Sequence, residues 1–132
     1  MTTDTSELKS LLSHHTGTEQ VFRHALARGV TYTEGVQAFT QNAGGGGYWL
    51  LDILATEPDI LGLVKEGGMA FAKLQVDNSK AKLSVDDGNG GDPVYTRDID
   101  YTDCPPGTWV FYLAYTEVAG KPVTMILLPS EY

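Results

Sequence analysis

Thr108-Trp109-Val110-Phe111-Tyr112-Leu113-Ala114-Tyr115-Thr116, followed beyond Ala119-Gly120 by Pro122-Val123-Thr124-Met125-Ile126-Leu127-Leu128, decides the fold. Both runs are rich in β-branched and aromatic residues and flank a short turn, which predicts an antiparallel hairpin. Trp109, Phe111, Leu113 and Tyr115 fall on one face of the first strand, and Val110, Tyr112 and Ala114 on the other. A strand with no polar face calls for cover on both sides. One face is expected to pack on a helix. The other is expected to meet the N-terminal helix, a second copy of the chain or a partner protein.

The chain before this hairpin supplies the rest of the sheet. Ala70 to Asp77 and Lys80 to Asp86 alternate in phase around Asn78-Ser79, which predicts a second hairpin with a tight turn. Val94 to Tyr101 reads as another strand, ending before the Pro105-Pro106-Gly107 break. Further upstream, Gln20 to Leu26 and Val30 to Thr33 read as paired strands, and Val36 to Thr40 as a short helix or turn.

Tyr48 to Thr56 is a helix with Leu50, Leu51, Ile53 and Leu54 clustered on one side and Asp52 on the opposite edge. Pro58 closes it, leaving Asp59 to Gly68 as a connector with one helical turn. Ser6 to His14 forms an N-terminal helix, with Leu8, Leu11 and Leu12 in one stripe. The expected architecture is α+β: a single domain over residues 1–132, with an antiparallel sheet of about five to seven strands on the buried Tyr48–Thr56 helix and the N-terminal helix, residues 1–15 being peripheral.

Composition narrows the function classes. The chain has 132 residues, 42% of them hydrophobic, which fits one domain with a real core. Seventeen acidic against nine basic residues give a formal charge of −8, so a surface that wraps nucleic-acid backbone is excluded. The polar, acidic start and the lack of a long apolar run predict a soluble protein of the cytoplasm, and the single cysteine, Cys104, fits a reducing compartment.

The candidate chemical motifs are incomplete. Gly44 to Gly47 precede a helix, as in phosphate-binding loops, but the lysine and hydroxyl of a P-loop are missing. Asp86-Asp87-Gly88-Asn89-Gly90-Gly91-Asp92 is rich in oxygen ligands but lacks the glycine and closing glutamate of an EF-hand loop. His14, His15, His24 and Cys104 show no zinc-ligand spacing, so no metal and no cofactor is expected. Cys104 reads as a small residue at a strand end, and no catalytic residue is assigned.

Charge distribution carries more. Asp86, Asp87, Asp92, Asp98, Asp100 and Asp103 face only Arg97 within that stretch, a local balance of six acids against one base, or −5. These six aspartates are the candidate partner-binding residues, suited to a basic protein surface. The competing site is a ligand pocket or small active site at Arg23, His24, Tyr48, Trp49 and Asp52, because an aspartate on an apolar helix needs a partner.

Six strings in fixed order add a resemblance: Thr16-Gly17-Thr18-Glu19 with Phe22-Arg23-His24, Tyr32-Thr33-Glu34-Gly35-Val36, Tyr48-Trp49-Leu50-Leu51-Asp52, Asp86-Asp87-Gly88-Asn89, Tyr101-Thr102-Asp103 and Leu128-Pro129-Ser130-Glu131-Tyr132. Over residues 16–132 the chain resembles a family of small uncharacterised bacterial proteins, also encoded by phages and plasmids, known only as a domain of unknown function. The resemblance implies one compact domain and a mobile-element origin, and supplies no mechanism.

The resulting expectation is a non-catalytic interaction protein. Its most concrete form is an acidic inhibitor of a host nucleic-acid-targeting defence system, similar to an anti-CRISPR protein, that occupies a basic groove. The alternative is a small enzyme or a small-ligand or nucleotide-binding protein using the Asp52 site. A homodimer through the Thr108 to Leu128 hairpin face is compatible with either. Direct binding of nucleic acid or membrane is not expected.

Overall fold

The computed structural model describes residues 5–13, 21–24, 27, 29–42, 48–88, 92–102, 104–118 and 120–131. The elements run α1 (Thr5–Ser13), β1 (Val21–Arg23), β2 (Val30–Thr33), α2 (Glu34–Asn42), α3 (Tyr48–Thr56), α4 (Pro58–Gly67), β3 (Met69–Asp77), β4 (Lys80–Asp86), β5 (Tyr95–Ile99), β6 (Gly107–Val118) and β7 (Lys121–Leu127), then a 3-10 turn at Pro129–Glu131. The seven strands form one sheet in the order β1-β2-β7-β6-β3-β4-β5.

The fold is α+β, and the β3–β4 and β6–β7 hairpins stand where the alternation places them. Asn78 and Ser79 both adopt left-handed backbone, φ 51° and 63°, as a two-residue hairpin turn twisted to match its strands requires. The antiparallel expectation has one exception: β2 runs parallel to β7, with Val30 opposite Thr124 and Tyr32 opposite Ile126. No turn links these strands, so neither carries a local signal of its neighbour.

The connector expected at Asp59–Gly68 is instead a ten-residue helix. Pro58 does end α3, but it also occupies the first turn of α4, where a missing N–H costs nothing and a fixed φ favours the helix. Gly68, at φ 86°, closes α4 by donating its N–H to the Val64 carbonyl at 2.8 Å.

The hydrophobic core lies on one face of the sheet. Ala70, Ala72, Leu74, Leu83, Val85, Phe111 and Leu113 meet Leu8 of α1, Val36 and Phe39 of α2, Leu50 and Leu54 of α3, and Ile60 and Val64 of α4 in a single buried cluster. Phe39 sits edge-on to Phe111 at 4.9 Å between ring centres, and the ammonium of Lys9 lies 5.6 Å from the Trp109 ring centre.

The opposite face departs from the expected two-sided cover. Val110, Tyr112 and Ala114 of β6 and Met125 of β7 are only half-buried there, and the buried Val123 and Leu127 stand apart from the main core. Phe71 and Tyr112 shield one another across β3 and β6 with ring centres 5.0 Å apart. The reason is that α1 packs with the other helices on the core face, Leu8 being fully buried there.

The final turn is tied to the start of α2 by a buried carboxylate. Glu131 is 9% exposed; its Oε1 accepts from the Thr33 hydroxyl at 2.6 Å and the Leu128 N–H at 2.9 Å, and its Oε2 from the Gly35 N–H at 3.2 Å. An anion at the N-terminal turn of α2 also meets the positive end of the helix dipole.

Candidate functional site

The two residue sets expected to carry function fold very differently. At the first set, β4 and β5 form the end of the sheet, with β5 as its edge strand. Asp87, Asp92, Asp98 and Asp100 are exposed, and Asp86 is half-buried. The Asp86 carboxylate accepts the Gly88 N–H at 2.8 Å, an Asx turn that starts the following loop. Asp98 stands directly opposite Lys82. Asp103 lies outside the described residues, as do residues 89–91 of the oxygen-rich loop, residues 44–47 of the glycine run, and His14 and His15. The exposed aspartates thus lie along the β4–β5 side of the sheet, Asp87 and Asp92 at one end of the pair and Asp98 and Asp100 toward the other, with the exposed Lys80, Lys82 and Arg97 among them.

At the second set, the structure joins His24 to Asp52 and separates Arg23 from both. His24 follows β1, is 4% exposed, and its Nε2 lies 2.8 Å from Asp52 Oδ1. The ring Nδ1 accepts the Ala27 N–H at 3.0 Å. A nitrogen that accepts a backbone N–H carries no proton, so Nε2 is the protonated nitrogen and donates to Asp52. Both ring nitrogens are engaged, and the pair ties α3 to the chain between β1 and β2.

Aromatic residues precede both members of the pair in the chain, Phe22 before His24 and Tyr48 and Trp49 before Asp52. Tyr32 stacks on Phe22 at 5.6 Å. Burial, and then the adjacent Tyr48 hydroxyl, hold the Tyr32 phenol above its ordinary range. Tyr48 is 48% exposed, and Trp49 packs half-buried against the core.

Arg23 does not join Asp52, which corrects the five-residue site expected from the sequence. Successive strand residues point to opposite faces, so Arg23 projects from the open face while His24 turns to the helices. There Arg23 stands opposite Thr31, its partner in the β1–β2 ladder. These two residues, with Lys121, Val118 and Val123, bound a cleft of about 410 Å³. Neither Thr31 nor Lys121 stands out in the sequence, because the parallel β2–β7 contact that gathers them is non-local.

Cys104 is buried, and its N–H donates to the Thr102 hydroxyl at 3.1 Å, in keeping with a small residue packed beyond β5. Among the described residues no three or more His, Cys, Asp or Glu side chains group to hold a metal, and no helix is long and apolar enough to cross a membrane.

Comparison with known proteins adds a family and nothing on activity. No curated protein matches the chain, and no solved structure matches it. The model of DUF6876, a family of unknown function, matches residues 6–132, from α1 through the final turn, and the chain belongs to that family.

Proposed function

We propose that the protein is a non-catalytic, cytoplasmic interaction protein whose acidic β4–β5 end docks on a basic surface of a partner protein. The observation that supports this reading is the exposure of Asp87, Asp92, Asp98 and Asp100 at the edge of the sheet. Charges exposed this way add little to folding, yet they steer association and select partners by complementary potential. A protein that uses a basic groove to hold nucleic acid is the partner class this end fits. A defence nuclease met by a mobile-element inhibitor is one such case.

The test is affinity capture from host lysate with the wild-type chain and with a variant carrying Asp87→Lys, Asp92→Lys, Asp98→Lys and Asp100→Lys. The expected result is a partner that wild type retains, that heparin displaces, and that the variant binds at least about tenfold more weakly. Because the four side chains are exposed, the variant's unfolding midpoint should stay close to that of wild type. Equal capture by the variant, or retention insensitive to salt, refutes the reading.

The open sheet face supports a second reading, self-association. Val110, Tyr112, Ala114 and Met125 are contiguous across β6 and β7, and half-exposed apolar groups on neighbouring strands form the kind of patch that a second copy covers. Light scattering on concentrated protein is expected to show a dimer that Tyr112→Glu converts to monomer. A wild-type monomer across the accessible concentration range removes this reading.

A further inference from the structure

We propose that the cleft between β1, β2 and β7 binds a small organic oxyanion, a phosphomonoester or a carboxylate carrying an apolar body. The cleft, about 410 Å³, lies within the size range of small-molecule sites and is bounded by Arg23, Thr31, Val118, Lys121, Pro122 and Val123. Three observations converge on this class of ligand, and none depends on the acidic end of the sheet.

The first is charge. On a chain of formal charge −8, Arg23 and Lys121 bring two cations to one cleft from different strands, and neither has an ion pair among the described residues. A guanidinium matches an oxyanion with two parallel N–H donors, and an ammonium adds a point charge.

The second is an unsatisfied hydroxyl. Thr31 is 5% exposed, and its Oγ1 is buried without a hydrogen-bond partner among the described residues. Leaving a buried hydroxyl unpaired is costly, and such groups are rare enough to ask for a reason. Thr31 lines the cleft, and rotation about χ1 to another staggered position gives the hydroxyl a different direction in which to donate to an anion's oxygen.

The third is the remaining wall. Val118, Pro122 and Val123 offer apolar surface beside the cations, so the cleft favours an anion with a hydrophobic portion over a bare inorganic ion.

The experiment is an NMR titration of the full chain with adenosine monophosphate, with phenylacetate and with inorganic phosphate, each to about 10 mM, a range that reaches weak millimolar binding. Saturable shifts at Arg23, Thr31 and Lys121 with at least one organic anion, weaker with inorganic phosphate, are expected. The two organic probes distinguish a phosphate ligand from a carboxylate ligand. Arg23→Gln and Lys121→Gln should each weaken binding about tenfold, whereas Lys73→Gln, which removes a cation elsewhere on the same face, should change it less than about twofold.

Thr31→Val gives a paired signature: affinity falls about threefold or more, while the melting temperature of the free protein rises by about 3 °C because an unpaired polar group is gone. The proposal is overturned by any of three results. These are no saturation with either organic probe, equal losses in the Lys73 and Arg23 variants, or an unchanged affinity in Thr31→Val.

Discussion

Glu131→Ala is expected to lower the unfolding free energy by about 4 kcal/mol, seen as a fall in the urea midpoint with an unchanged slope. The carboxylate accepts three hydrogen bonds while 9% exposed, from Thr33 Oγ1, Leu128 N–H and Gly35 N–H. Truncation leaves two backbone N–H groups without an acceptor in a site from which water is largely excluded, at about 1–3 kcal/mol each before relaxation, and the Thr33 hydroxyl, which still accepts the Val36 N–H at 3.4 Å, loses the acceptor for its own proton. It also removes an anion from the N-terminal turn of α2, a further loss of about 0.5 kcal/mol. Glu131→Gln separates these terms. The amide keeps one acceptor oxygen but turns an NH2 group toward one donor, so a loss of about 2 kcal/mol is expected. A midpoint unchanged in Glu131→Ala would show that the final turn is not needed to hold α2 against the sheet.

The scale of this effect was not legible in the sequence. Leu128-Pro129-Ser130-Glu131-Tyr132 has no apolar periodicity that would mark Glu131 as buried. Only the fold reveals that Thr33, at the end of β2, and Gly35, in the first turn of α2, converge on Glu131 from the far end of the chain. Sequence separation hid the interaction, as it hid the parallel β2–β7 pairing. Neither leaves a periodic trace.

Local signals, by contrast, carried through. The alternation in Leu74 and Val76 and in Leu83 and Val85 fixed both faces of the β3–β4 hairpin, since a one-residue slip would have exposed all four. The cluster of Leu50, Leu51 and Leu54 defined α3. Reading Pro58 only as a terminator hid α4, although Ile60 and Val64 have the helical spacing that marks its buried face.

The candidate sites divide along the same line. An aspartate on an apolar helix implied a partner for Asp52, and His24 is that partner at 2.8 Å. The same reasoning grouped Arg23 with it, and strand alternation overrides that grouping. Adjacent residues in a strand are the two least able to share a site, so Arg23 serves a different face of the sheet and a different cleft.

Gly35→Ala is the second large effect, expected at about 2–3 kcal/mol of destabilisation despite the better helix propensity of alanine. A Cβ at position 35 would lie 2.6 Å from Glu131 Oε1 and 2.6 Å from Leu128 Cδ1, well inside contact distance. Both atoms are ends of side chains, and the ends of free side chains move cheaply. These are not free: the Glu131 carboxylate is held by three hydrogen bonds, and Leu128 is 4% exposed. Making room for one methyl group therefore breaks the polar cluster or displaces a packed leucine. The two predictions are coupled. With Glu131→Ala already in place, the carboxylate that blocks the methyl is gone, and Gly35→Ala should cost at least about 1 kcal/mol less than it does in wild type. A double-mutant cycle in urea measures this difference directly. Strict additivity would mean that Leu128 alone sets the steric limit at Gly35, and would separate the packing of this corner from its hydrogen bonds.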